Sequence, residues 1–473
     1  MRNALFFLVT FPILFSCSND KSALSVVPLS AEGIAIIDIQ EVGSDAFHGE
    51  ASFEEIELLL SEIQLGKQNE FKKFIKSLSK LPISLFSKAA LFTYSMEEKR
   101  ILGISIPLRS EALSTIQELG SNTVITKKGA RYILFDTNKI NKGIALIEEN
   151  YILLLKAKLD SKQLIQEVKR LKKLKKSESV ENNSIPDHDC YLLTQSNGVE
   201  VKGSLNFENG KIAIKLKANF DEENPLDTLL NTPTTFNYDT SAIAVVQSNI
   251  NPHLLNKIPF LPLVIKNTLD TTDVFHGPIS MTLQGVELRS RHFITYEEDE
   301  EFNLIQKSTV KIDTVNKIHG YIEGNTQLFS PFLNYFLSLN LLKKEKSNWY
   351  SSPVLLDQYQ IFPQENKVFF SSYEHDFADY SHTIKSLAHI YINIQKIHDL
   401  ENNNSFWKGF TLEIDPIEHF YVNQRLKSLD ISLPDNSNIN INIDFKNENE
   451  NGLIECLHIL KEISNLKKEK IRA

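Results

Sequence analysis

Apolar and polar residues alternate along many short segments of this chain, as they do in β-strands that bury one face. The clearest case is the pair of segments 199–207 and 211–220, which a Glu-Asn-Gly turn joins. The same alternation predicts further strands in the first half of the chain, at residues 33–39, 89–94, 101–106, 123–126, 132–135, 143–147 and 151–155.

Helical spacing of apolar residues predicts helices between these strands. One begins at Ser52, where Glu55 completes a capping box. Others are predicted at residues 70–81, 110–119 and 161–176. In the second half, strands are predicted at residues 241–247, 279–286, 292–296, 309–313, 387–394 and 438–445, and helices at residues 327–342 and 453–468.

These elements predict an α+β fold of two units, each a mainly antiparallel sheet with helices packed on one face. Residues 221–237 hold two prolines and no sustained periodicity, which is typical of a linker. The N-terminal domain is therefore expected at residues 28–220 and the C-terminal domain at residues 238–473. Similar apolar openings at residues 33–37 and 241–245 suggest a diverged internal repeat.

The first residues have the pattern of a signal peptide. Arg2 is followed by an apolar run, too short to span a bilayer, and then by Leu14-Phe15-Ser16-Cys17. That order resembles the lipobox of bacterial lipoproteins, although Phe15 is bulkier than usual. We therefore expect cleavage after residue 16 and lipid on Cys17. Two or three acyl chains on that cysteine would anchor the protein firmly to a membrane. Residues 17–27 are expected to form a tether. Ser18 resembles the residue found in lipoproteins of the outer membrane, and the body is expected to face either the periplasm or the outside.

Composition agrees with a folded body behind that anchor. Hydrophobic residues make up 42% of the chain and charged residues 23%. A net charge of −9 argues against nucleic acid as a partner, which usually requires a basic surface. With Cys17 acylated, only Cys190 and Cys456 remain, and they either form one long-range disulfide or are two buried free thiols.

The segment Val27-Pro28-Leu29-Ser30-Ala31 directly follows the tether. In this place, before a strand, helices and a hairpin, it resembles the start of an uncharacterised family of Gram-negative envelope lipoproteins, defined only as a domain of unknown function. Those proteins tend to open with Val-Pro-x-Asp-Ala, so Ser30 departs from the pattern. The resemblance implies an envelope location and, weakly, a non-catalytic body.

Histidines give the main candidate for a metal site. His375, His382, His389 and His398 lie within 24 residues, beside several acidic side chains, and imidazole and carboxylate suit zinc and similar ions. The spacings match no compact ligand motif, and a strand at residues 387–394 would separate the imidazoles. A solvated surface is the alternative.

Four other segments each allow two interpretations, a functional one and an ordinary structural one. Residues 187–190 are Asp-His-Asp-Cys, either part of a metal site or a polar loop. Residues 447–452 resemble half of a calcium loop, but with His458 at the twelfth position, and they also suit a strand-to-helix connection. The basic helix 162–176 could contact anionic lipid or be solvated, and Phe329, Phe332 and Phe336 could line a groove or lie in the core.

No nucleophile elbow, zinc-protease helix, phosphate loop or dinucleotide motif occurs in the sequence. The expected function is thus a membrane-anchored envelope lipoprotein, a binding or structural module for an envelope protein or glycan, with no cofactor. An envelope hydrolase, with or without a metal, is the competing interpretation, and the sequence favours the non-enzyme.

Overall fold

A computed structural model describes the chain in stretches. They are residues 22–42, 87–96, 98–108, 124–127, 130–136, 142–182, 188–196, 198–221, 224–251, 275–298, 304–351, 358–374, 382–397, 424–459 and 462. The predicted helices at residues 52 onward, 70–81 and 110–119 lie outside these stretches.

The chain divides into two compact units. Unit 1 comprises residues 1–209 together with 450–473, and unit 2 comprises residues 210–449. The segment 221–237, expected as a linker, contains a short helix and most of a strand, which belong to unit 2.

Unit 1 is built on nine antiparallel strands among its described residues. Their bounds are β1 Gly33–Asp38, β2 Lys88–Met96, β3 Lys99–Pro107, β4 Val124–Lys127, β5 Ala130–Asp136, β6 Lys142–Ile147, β7 Tyr151–Ala157, β8 Cys190–Ser196 and β9 Val199–Glu208. They pair in the order β4-β5-β6-β7-β3-β2-β1-β8-β9. Strand β1 is therefore an internal strand, paired with β2 on one edge and with β8 on the other.

The core of unit 1 lies between this sheet and two other elements. One is the 3-10 turn Ala23–Val26, whose residues are all buried. The other is helix α1 (Ser161–Lys172), which begins with a capping box between Asp160 and Gln163. Its apolar stripe, Leu164, Val168 and Leu171, is fully buried, so the amphipathic pattern that predicted the helix also explains its packing.

Unit 2 contains the other strands. They are β10 Lys211–Phe220, β11 Thr234–Tyr238, β12 Ala244–Ser248, β13 Phe275–Glu298, β14 Leu304–Gly324, β15 Lys343–Lys346, β16 Trp349–Ser351, β17 Gln358–Gln364, β18 Lys367–Ser371, β19 His382–Ser386, β20 Ala388–Asn393, β21 Leu426–Leu433 and β22 Asn438–Phe445. Eleven pair antiparallel in the order β10-β22-β21-β20-β12-β13-β14-β18-β17-β16-β15, and β11 pairs with β19.

Strands β13 and β14 are much longer than their neighbours. Strand β12 pairs with β13 only over residues 279–283, and β18 pairs with β14 only over residues 319–323. From Val286 to Glu298, β13 pairs with β14 in a two-stranded ribbon. Leu288 and Val310 on this ribbon are 69% and 59% exposed.

Few helices accompany these strands in the described residues. Helix α2 is Pro225–Leu229, and α3 is Thr326–Ser338, which contains Pro331. Residues 452–459, in unit 1, form a further helix, α4. Its buried side chains Leu453, Ile454 and Leu457 pack with Val42 and Phe207.

The predicted α+β class is wrong. The described chain is mostly antiparallel β, and helices do not cover one face of each sheet. One physical reason is that segments other than helices also bury apolar side chains of the described strands. In unit 2, for example, the small ribbon of β11 and β19 contributes the buried side chains Phe236 and Tyr238.

Candidate functional site

A hollow in unit 1 lies over one face of strands β1, β8 and β9. The register places Ile34 beside Leu193, and Leu193 beside Lys202. Ile36 lies beside Tyr191 in the next row. Because side chains on a strand alternate between the two faces, these residues share one face of the sheet. They form an apolar floor that ends in a charged rim.

The wall of this hollow is the segment that follows the predicted tether. The Leu29 amide donates to the Glu178 carbonyl at 2.9 Å, and the Val180 amide donates to the Val27 carbonyl at 3.0 Å. Val27 and Val180 are buried, whereas Leu29 remains 41% exposed. The wall is therefore fixed by backbone hydrogen bonds while it presents an apolar side chain outward.

The hollow has a volume of about 480 Å³, within the size range of ligand sites in proteins. Its lining consists of Leu29, Ala31, Ile34, Ile36, Val180, Tyr191, Leu193, Gln195, Glu200 and Lys202. We call it the β1–β8–β9 hollow. Such a mixed lining suits a partner with both apolar and hydrogen-bonding groups.

Charges of both signs stand at the rim. Lys202 Nζ lies 2.9 Å from Glu200 Oε2, and that hydrogen bond raises the pKa of Lys202. Burial raises the pKa of Tyr191, so its phenol is neutral at pH 7 and can donate or accept a hydrogen bond. Positioned donors and acceptors around an apolar floor provide orientation in a binding site. No nucleophile paired with a base is among the lining residues.

A second hollow, of about 710 Å³, is also lined by the wall residues Pro28, Leu29 and Ser30. Leu29 lines both hollows, and the second also has Arg170 and Lys173 in its lining. The Arg170 guanidinium is engaged by Glu167. The exposed wall segment thus borders a mixed hollow and a more basic one.

Several residues predicted as sites lie outside the described chain. They include the signal peptide and residues 17–21 of the tether, with Cys17, which precede residue 22, and the histidines His375 and His398. The lipidation of Cys17 and a metal role for His375 therefore stay predictions. Among the described residues, no helix is long and apolar enough to cross a membrane.

His382 and His389 lie close together in unit 2, on strands β19 and β20. Both rings contact the Tyr238 ring, at centroid distances of 5.6 and 4.5 Å. His389 is fully buried. Its Nδ1 lies 3.1 Å from Gln247 Oε1, and its Nε2 lies 3.4 Å from Asp430 Oδ1. Both nitrogens of His389 thus face protein oxygens. Within the described part of the chain, neither histidine belongs to a group of three convergent metal donors.

The other predicted segments have varied surroundings. His188 Nδ1 lies 3.2 Å from Asn206 Oδ1, and Asp189 accepts a hydrogen bond from the Phe207 amide. Both contacts fit the polar-loop interpretation. On the basic helix, Glu167 is a buried side chain. Phe329 packs with Val368 in a small core, as the core interpretation expects.

Sequence reasoning missed the β1–β8–β9 hollow because its residues are far apart in the chain. Strand β8 was not among the predicted strands. The signal that could have found it is the strand-forming run Tyr191-Leu192-Leu193-Thr194, followed by the turn residues Asn197-Gly198. Nothing local links that strand to residues 29–36, since the pairing of β1 with β8 is long-range.

Comparisons with known proteins give little. No family model matches the chain, and no curated protein matches it. Among solved structures, crystal form IV of TP0453 has a TM-score of 0.24 at 11% identity, covering 41% of this chain and 79% of that one. Crystal form I of TP0453 has a TM-score of 0.20 at 9% identity, covering 78% and 95% of the two chains. TM-scores this low carry no argument about fold or function.

Proposed function

We propose that this chain is a lipid-anchored envelope lipoprotein that acts as a non-catalytic binding module. The β1–β8–β9 hollow is its binding site, and the partner is an envelope protein or glycan. The observation that carries the binding role is the fixed hollow itself, with an apolar floor and a rim of amide, carboxylate and ammonium groups. The anchoring rests on the sequence around Cys17.

The wall supports this proposal because it follows the anchor so closely in sequence. Leu29 lies 12 residues after Cys17, and 12 residues span at most about 40 Å even when fully extended. A partner bound at the hollow would therefore be held near the membrane surface. A binding module with this arrangement would connect an envelope component to the membrane without chemistry of its own.

The binding role is tested by blocking the hollow. Gln195 is an exposed residue of the rim, so Gln195→Trp adds a ring to the site without disturbing the core. Leu192 lies on the same strand, is 36% exposed, and points to the opposite face. Leu192→Trp is thus a matched control. We expect a cross-linked pull-down from envelopes to recover a specific partner with the wild type and with Leu192→Trp, and not with Gln195→Trp.

Mass spectrometry and sugar analysis of the recovered material distinguish a protein from a glycan. Equal recovery with both tryptophan variants would show that the hollow is not the binding site. The anchor is tested separately: Cys17→Ala should move the protein from the membrane fraction to the soluble fraction and abolish labelling with palmitate. Retention of the label in that variant would contradict anchoring at Cys17.

A further inference from the structure

Helix α1 and the turn after it concentrate positive charge in an acidic chain. Residues 161–178 hold seven lysines and arginines and two glutamates, a net charge of +5, whereas the whole chain has a net charge of −9. Arg170 and Lys172 bind the carboxylates of Glu167 and Glu148. The five other cations are exposed and form no ion pair with a described residue; they are Lys162, Lys169, Lys173, Lys175 and Lys176.

Three of these lysines lie on one side of α1. Lys162, Lys169 and Lys173 follow one another at intervals of seven and four residues, which return to the same side of a helix. The buried apolar residues of the helix lie on the opposite side. We call these three residues the lysine stripe. It faces away from the core of unit 1.

The stability of the helix does not explain the lysine stripe. Cations are favourable near the C-terminal end of a helix, but Lys162 lies in the first turn, where positive charge is unfavourable and where no acidic residue accompanies it. Lys169 and Lys173 are four residues apart, and like charges at that spacing repel each other. An anionic partner that faces the stripe would offset both effects.

The spread of the stripe indicates a surface rather than a single bound anion. From Lys162 to Lys173 the helix extends about 16 Å, so one phosphate or carboxylate cannot contact both ends. Several anionic groups side by side would match the three lysines. A membrane that contains anionic lipids presents its headgroups in this way, and it attracts lysines that lie near it.

The stripe ends beside the segment that leads to the proposed anchor. Lys173 lines the second hollow together with residues 28–30. Further upstream, the Ser22 hydroxyl donates to Glu181 Oε1 at 2.8 Å. Cys17 lies five residues before Ser22, and five residues span at most about 18 Å. A lipid on Cys17 would therefore hold this part of unit 1 close to the membrane.

We propose that the lysine stripe, together with Lys175 and Lys176, docks on the anionic phospholipid surface of the membrane that holds the anchor. The inference rests on the proposed anchoring at Cys17 for its location, and it does not depend on the binding role of the β1–β8–β9 hollow. A basic patch next to an acyl anchor adds to membrane attachment. Because one side of one helix makes the contact, docking would also fix the orientation of unit 1 on the membrane.

The test measures vesicle binding in the absence of acyl chains. The chain from residue 17 onward, with Cys17→Ala, includes all the residues that the structure describes. It is mixed with vesicles of phosphatidylcholine alone, or of phosphatidylcholine with phosphatidylglycerol, which are then sedimented. We expect binding to the phosphatidylglycerol vesicles only, and release in high salt, because salt screens exposed charges. Equal binding to both kinds of vesicle would overturn the proposal.

Variants locate the contact on the helix. Lys162→Gln, Lys169→Gln and Lys173→Gln, made together, remove the charge of the stripe at exposed positions and keep good helix formers there. Each lysine near an anionic surface strengthens binding roughly fivefold, so the triple variant should bind on the order of 100-fold more weakly.

Strand β15 supplies the matched control. All of its residues are exposed, and three of them are lysines. Lys343→Gln, Lys344→Gln and Lys346→Gln, made together, remove the same charge from unit 2 and should leave vesicle binding unchanged. Equal weakening by the two triple variants would show that only the net charge matters, and would overturn docking through α1.

A fluorophore gives a second measurement if circular dichroism shows that the stripe variant is unfolded. Gln166 is exposed and lies on the same side of α1, four residues after Lys162. A fluorophore attached to Gln166→Cys in the otherwise unchanged chain should shift its emission to the blue on phosphatidylglycerol vesicles. An unchanged emission would contradict contact between the stripe and the membrane.

The outcomes also separate this inference from the proposed anchoring. Palmitate labelling of the full-length protein tests the lipid on Cys17, whereas the vesicle experiment uses a chain without that lipid. Labelling of Cys17 without vesicle binding would overturn the docking and leave the anchor supported. Vesicle binding through the stripe without labelling would support the docking and contradict the anchor.

Discussion

Buried ionisable side chains in this chain contact one another within hydrogen-bond distance. In unit 1 the Tyr94 hydroxyl donates to Glu167 Oε1 at 2.6 Å. The Arg170 guanidinium donates to the same carboxylate through Nε and Nη2. Glu167 is 4% exposed, and Arg170 also lies over the Tyr94 ring. Helix α1 is thereby joined to strand β2 through one carboxylate.

Removal of that carboxylate should destabilise unit 1. In Glu167→Ala the buried Tyr94 hydroxyl loses its acceptor, which typically costs about 1–3 kcal/mol. Arg170 is half exposed and can be solvated instead. Urea unfolding measures the change. Tyr94→Phe, which removes the donor and leaves the Glu167–Arg170 pair, should cost less. Equal stability of Glu167→Ala and the wild type would show that the contact contributes nothing net.

In unit 2, Tyr238 should make stability dependent on alkaline pH. Burial, together with the nearby Asp430, raises its pKa from 10.0 to about 12. The Tyr238 hydroxyl lies 3.4 Å from Asp430 Oδ2. The Tyr238 ring contacts the rings of His382, His389 and Tyr391. The folded chain therefore keeps the phenol protonated where the unfolded chain releases the proton.

The sign of the effect follows from linkage. The contribution of Tyr238 is fully present below pH 10 and is lost progressively as the pH rises toward about 12. Urea unfolding at a series of pH values above 9 should show a steeper loss of stability in the wild type than in Tyr238→Phe. Both proteins contain the other tyrosines and lysines, so the titration of those groups cancels when the two are compared. Parallel curves for the two proteins would contradict the shifted pKa.

At the scale of elements, two glycines on the long strands of unit 2 should respond very differently to substitution. A Cβ on Gly320 in β14 would lie 2.1 Å from the Ser280 carbonyl oxygen and 2.6 Å from the Phe370 ring. A Cβ on Gly285 in β13 would have nothing within 4 Å. The close approach at Gly320 involves the backbone of the paired strand, which cannot rotate away.

Gly320→Ala should therefore destabilise unit 2 by about 3 kcal/mol, the upper end of typical overpacking costs. Gly285→Ala should change stability by less than about 1 kcal/mol, since alanine also lowers the entropy of the unfolded chain. The midpoints of urea unfolding for the two variants measure the difference. Similar midpoints would mean that the strands separate easily at Gly320.

The elements show where sequence patterns predict structure and where they do not. Strands β5, β6 and β7 were predicted within a few residues, because their sequences are largely apolar, and β6 and β7 pack into the core of unit 1. Strand β13 was predicted as two shorter strands, at residues 279–286 and 292–296. Residues 287–291, between the two predicted strands, are Glu-Leu-Arg-Ser-Arg, so no apolar period marks a strand there although the backbone is extended.

The candidate sites were harder to predict than the strands. The strand containing His389 was predicted near its observed position, yet its buried contacts with Gln247 and Asp430 come from two other strands.

At the scale of the whole molecule, the balance between helix and sheet was misjudged for a physical reason. A predicted antiparallel strand with one apolar face has to be covered, and helices are the usual cover. Here part of that cover comes from short segments without strong periodicity, such as the 3-10 turn Ala23–Val26 in unit 1 and the β11–β19 ribbon in unit 2. Local periodicity detects the strands but not the segments that cover them. The predicted antiparallel pairing was therefore correct, whereas the predicted α+β class was wrong.

Cys190 and Cys456 test how well unit 1 excludes solvent. Cys190 lies on β8 and Cys456 on α4, and both are free thiols. Burial raises the pKa of Cys190 to about 12 and that of Cys456 to about 11. Because the thiolate is the nucleophile, both should be inert toward a thiol reagent in the folded protein.

The Cys17→Ala variant contains only these two cysteines, which makes the count unambiguous. At mildly alkaline pH it should show no fast reaction with Ellman's reagent when folded, and two reacting thiols in guanidinium chloride. Fast reaction in the native protein would show that unit 1 opens readily at β8 or α4. No reaction in denaturant until a reductant is added would show that the cysteines pair in the purified protein. Two thiols released only on unfolding would mean that packing protects them, so that this unit keeps its core without a disulfide.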